Sequence, residues 1–104
     1  MKTIYEFYYI VGQRDFINTY ILKADKETQR MIYGTAYTLT DEDCGRFQLN
    51  KSKVGTLSMC VNERHGSFCK IWIEEQENID PKEEAYRLIY HYLMSIANQF
   101  KGDE

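Results

Sequence analysis

Residues 57–73 read LSMCVNERHGSFCKIWI, and the fold is decided there. Leu57, Met59 and Val61 alternate with Ser58, Cys60 and Asn62, and Cys69, Ile71 and Ile73 alternate with Phe68, Lys70 and Trp72. A repeat of two is the repeat of a strand, because successive side chains leave a strand on opposite faces. Between the two runs, Arg64-His65-Gly66 forms a three-residue loop, with Gly66 suited to the left-handed conformation of a bulged turn. That loop predicts a hairpin whose partners sum to an even number, with Leu57 facing Ile73, Met59 facing Ile71 and Val61 facing Cys69. Cys60 then falls on the opposite face beside Lys70, pointing away from Cys69.

Downstream, Asp80, Pro81 and Glu83 stand at cap, first-turn and capping-box positions of a helix. At 100° per residue, Ala85, Leu88, Ile89, Tyr92, Leu93, Ile96 and Phe100 form one apolar stripe. Glu83, Arg87, His91, Met94, Asn98 and Lys101 take the other side, and Gly102 is a stop signal. Upstream, residues 3–11 alternate as a first strand, with Tyr5, Phe7, Tyr9 and Val11 on one face and Ile4, Glu6, Tyr8 and Ile10 on the other. Residues 16–24 read as its antiparallel return and residues 31–39 as a third strand. Thr40 to Gly45 reads as a loop or one helical turn, followed by a short strand at 47–49 and a Lys/Ser-rich turn ending at Gly55. The expected fold is therefore α+β: an antiparallel β-meander of five to six strands, with one C-terminal amphipathic helix packed on one face.

At 104 residues the chain fits one domain, expected to span 1–104. Its aromatics are mostly tyrosine, which suits half-covered strand positions where a ring packs and a hydroxyl reaches water. Cys44, Cys60 and Cys69 are odd in number and match no zinc spacing, so no disulfide frame, metal or other cofactor is expected. With no leader pattern and no membrane-length apolar run, the expected location is cytoplasmic. Residues 71–104 carry eight acidic groups against three basic ones, whereas 45–70 carry five basic and one acidic. This uneven charge fits neither an acidic DNA mimic nor a broadly basic nucleic-acid binder.

No motif for catalysis stands out. His65 lies on the order of 16 Å along an extended strand from Cys60, and His91 sits on the polar side of the helix. The triplet Asp41-Glu42-Asp43 lacks a calcium-loop pattern and reads as a solvated cap. Phe68, Lys70 and Trp72 alternate on the hairpin face that the helix cannot cover. Either a partner covers these aromatics, or loop 40–55 or strand curvature does. The expectation is a non-enzymatic protein-binding module that occludes another protein through Phe68, Lys70 and Trp72. A small phage- or plasmid-type inhibitor or adaptor, including one that blocks a host defence nuclease, fits that profile, as does a homodimer. The competing expectation is single-stranded nucleic-acid binding, with Phe68 and Trp72 stacking bases and Arg46, Lys51, Lys53 and Lys70 meeting phosphates.

Overall fold

A computed structural model describes residues 2–12, 15–16, 18–62 and 66–102, and the side chains of residues 62 and 98–102 are not described. Six strands, β1 (Thr3–Ile10), β2 (Asn18–Glu27), β3 (Met31–Thr38), β4 (Asp43–Asn50), β5 (Leu57–Asn62) and β6 (Gly66–Glu74), precede one helix, α1 (Pro81–Gly102). All pair antiparallel in one sheet, in the order β4-β3-β2-β1-β6-β5. The first four strands are a meander. The last hairpin joins the free side of β1 instead of extending from β4.

This order makes β4 and β5 opposite edges, yet only residues 51–56 connect them. Six strands laid flat would span about 24 Å at the usual inter-strand spacing. A six-residue link that spends three residues on a 3-10 turn (Lys51–Lys53) cannot comfortably reach that far. The sheet must curl at this end, and the link crosses its concave side. Lys51 N–H donates to the Arg30 carbonyl, and Gly55 N–H donates to the Trp72 carbonyl at 2.7 Å. Asp25 is an extra residue in β2 opposite β3, a bulge that bends the strand where curvature is needed. Beside it, Gly34 carries no side chain because a Cβ there would lie 2.0 Å from the Lys23 carbonyl oxygen.

A curled sheet has two apolar faces. On the convex face Phe7, Tyr9, Cys69, Ile71 and Ile73 pack with Ala85 and Ile89 of α1. On the concave face Ile4, Leu22, Ala24, Ile32, Leu49 and Trp72 form a second core, with Val54 of the link packed against them.

Several expected boundaries move. Val11 lies beyond β1, and β2 starts later and runs longer than residues 16–24. The segment from Thr40 is a tight turn and not a helical one: the Thr38 hydroxyl accepts from the Thr40 and Glu42 amides, and Asp41 adopts φ 65°. β4 then begins at Asp43, lengthened by an irregularity around Gly45, where φ is 96°. In the hairpin Leu57 pairs with Ile71 and Met59 with Cys69, two residues from the expected register. The parity survives, so every side chain keeps its face. Gly66 does take the left-handed conformation, with φ 75°, while Arg64 and His65 lie outside the described residues. The Asp80 carboxylate caps α1 by accepting from the Lys82 amide at 3.0 Å.

Candidate partner-binding face

The upper concave face is assembled from three central strands. Pairing sets Glu6 opposite Trp72, Tyr8 opposite Lys70, and Ile10 opposite Phe68. Cys60 and Ser58 of β5 lie across from Phe68 and Lys70, and Tyr20 of β2 lies across from Glu6. The Tyr8 and Phe68 rings are nearly parallel, 8° apart with centroids 6.1 Å from each other. Tyr20 meets Tyr8 edge-on at 5.7 Å. The Lys70 ammonium rides 5.1 Å from the Tyr8 ring centre, a cation–π contact. All four side chains are half-buried, so each offers surface without being loose.

Burial raises the Tyr8 pKa, and the Glu6 carboxylate adds to the rise while Lys70 works against it. For Lys70 burial pulls downward, but the Tyr8 hydrogen bond and the nearby charges of Tyr8 and Glu6 outweigh it, leaving the pKa raised. The site thus keeps one fixed positive charge beside one carboxylate. Cys69 lies on the other face at 1% exposure, where burial pushes its thiol pKa up, and its Sγ is 3.1 Å from the Met59 sulfur. That is the environment of an inert thiol.

Trp72 belongs beneath this face and not on it. It is 7% exposed, packed in the concave core, and its Nε1–H donates to Glu6 at 2.7 Å. The cover comes from Val54 and the sheet's curl, so the ring is unavailable to a partner. Phe68 and Lys70 do reach the surface together.

The expected phosphate contacts do not gather around them. Arg46 pairs with Thr35 on the convex face, where its Nη2 donates to Asp25 at 2.9 Å. Lys51 sits at the lower rim, 3.4 Å from Glu27, which also holds Lys2 at 3.3 Å. Lys53 is exposed in the link, and of these cations only Lys70 stands on a strand that carries the ring cluster.

Reading the sequence did not single out the open half of the convex face. There Lys23 lies over Tyr37 at 5.1 Å and Lys26 over Tyr33 at 5.7 Å. The alternation Tyr33, Thr35, Tyr37 was the available signal. Among the described residues no three His, Cys, Asp or Glu side chains gather closely enough to hold a metal. No helix among them is long and apolar enough to cross a membrane.

No family model matches the chain, and neither a curated protein nor a solved structure matches it.

Proposed function

We propose that this chain is a non-enzymatic protein-binding module, with the Tyr8–Tyr20–Phe68 ring cluster and Lys70 as its contact surface. The observation behind the reading is the stacked Tyr8–Phe68 pair beneath Lys70, half-buried on the part of the concave face beyond the link. Rigid, half-exposed aromatics with a neighbouring cation are the composition in which interface energy concentrates. Occlusion of a partner, as an inhibitor or adaptor does, needs only such a surface, and a host defence nuclease is one partner of that kind. The nucleic-acid reading retains only Phe68 and Lys70 side by side on β6, and the charge of Glu6 lies near Lys70.

The test is capture from a bacterial lysate by the tagged chain, with and without nuclease, followed by measured binding of the recovered partner. Phe68→Ala and Tyr8→Ala are expected to keep the fold by circular dichroism and to cost about 2 kcal/mol or more of binding each. Lys70→Ala is expected to change mainly the association rate. A partner lost on nuclease treatment, with a Lys70→Ala salt dependence shallower by about one unit of slope, would replace this reading with the nucleic-acid one.

A further inference from the structure

The two edges of the sheet are not equally defended. An edge strand exposes unpaired amides and carbonyls, and proteins blunt such edges with charge, bulges or a covering element. β4 carries Asp43 and Arg46 and is irregular at Gly45. β5 has none of these: residues 54–62, VGTLSMCVN, are uncharged, and the β5–β6 ladder runs without a break. Among the described residues nothing pairs with the outer side of β5.

A second undefended surface lies beside it. Pro81 and Lys82 line a groove with Tyr5, Phe7 and Thr19 over β1 and β2, whereas Leu88 lines one with Val54, Gly55 and Ile73. The helix therefore crosses the strands and leaves the sheet on the β5 side. Among the described side chains none after Ile89 is in the buried core, yet residues 88–100 contain no Asp, Glu, Lys or Arg. Tyr90, Leu93 and Met94 are 60%, 41% and 43% exposed on one flank. Val61, near the end of β5 on the helix-bearing face, is 83% exposed.

We infer that this corner is the interface between two copies of the chain, formed by antiparallel pairing of β5 with β5 of the second copy. A second copy fits for a physical reason. An isologous contact places like against like about a two-fold axis. An antiparallel edge is self-complementary under that axis, and a strand without charge meets its copy without repulsion.

The register follows from the ladder. Val11 N–H donates to Ser67 O, and Glu75 N–H donates to Thr3 O, so odd residues of β6 bond β1. Even residues of β6 then bond β5, as Trp72 N–H does to Thr56 O. The even residues of β5 are thereby used, and Leu57, Met59 and Val61 point their backbone groups outward. Pairing centred on Met59 uses all three, setting Leu57 of one copy against Val61 of the other and covering the exposed valine. The helix flanks with Tyr90, Leu93 and Met94 extend the contact on the same face.

Sedimentation of the intact chain tests this, with hydrogen exchange read residue by residue. The expected result is a species of twice 12.4 kDa in which the Leu57, Met59 and Val61 amides are protected. Val61→Lys, at an exposed position that leaves the monomer's packing alone, should weaken association by at least about a hundredfold and release those amides; Met94→Lys should weaken it about tenfold. A monomer at about 100 µM overturns the proposal, since a specific dimer of this kind should be at least micromolar. So does a dimer in which those three amides exchange freely, because its contact would not be the β5 edge.

Discussion

Trp72 shows how one residue's role turns on what lies above it. Its position in the strand alternation is that of Phe68, two pairs away, yet one ring is core and the other is surface. The difference is the link from β4 to β5, which covers the lower concave face and stops short of Phe68. Trp72→Ala should therefore unfold or severely weaken the domain, by about 3–5 kcal/mol in chemical denaturation, whereas Phe68→Ala should cost far less. Gly34→Ala should be at least as harmful as a core truncation, above about 3 kcal/mol, because the added methyl meets backbone at Lys23 and Ala24. The Asp25–Arg46 pair makes an acid-sensitive contact. The hydrogen bond from Arg46 holds the Asp25 pKa below its ordinary 3.8. A lowered folded-state pKa contributes stability that is present above the unfolded value and lost as pH falls through the folded one. Urea unfolding from about pH 6 to about pH 2 should therefore show wild type and Asp25→Asn differing most at the high end and converging as pH falls below 3.8, so that the variant loses less stability in acid.

At the scale of an element, α1 departs most from its sequence pattern. The stripe Ala85, Leu88, Ile89, Tyr92, Leu93, Ile96 and Phe100 reads as one continuous core face. Only Ala85 and Ile89 are fully buried; Leu93 is 41% exposed, Tyr92 and Ile96 are half-buried, and the Phe100 side chain lies outside the described residues. The helix outruns the sheet. Ile89→Ala should cost about 2–5 kcal/mol. Ile96→Ala, by its pattern an equal, should cost clearly less in the isolated chain because much of it already meets water. Met94→Ala should change monomer stability by no more than about 0.5 kcal/mol. Comparing these three by thermal melts at low protein concentration separates packing on the sheet from packing in a dimer.

Across the whole molecule, the decisive feature is that both sheet edges are tied by a short link. The curl it imposes creates a second core on the side where the hairpin alone predicts open aromatics. The overhang of α1 then accounts for a Cα radius of gyration of 15.0 Å, above the roughly 13 Å of a compact chain this long. Cys60 and Cys69 point to opposite faces of the hairpin and Cys44 is in β4, at the far edge. All three thiols should therefore titrate as free in denaturant, and neither reductant nor chelator should shift the melting temperature. A Cys60–Cys69 disulfide would sink the register.

What the amino-acid order determined alone are features set by neighbours a few residues apart. Alternation in residues 57–73 and 3–10 and the cap at Asp80 each follow from local sterics and hydrogen bonding. Side-chain faces were legible for the same reason, since parity survived a two-residue error in the hairpin register. That error arose because both even registers bury the same rows, and local pattern cannot tell them apart. Strand order, curl, the covering of Trp72 and the separation of Arg46 from Phe68 came only with the tertiary structure. Each depends on which distant segments lie together, and a chain's periodicity carries no record of its long-range neighbours.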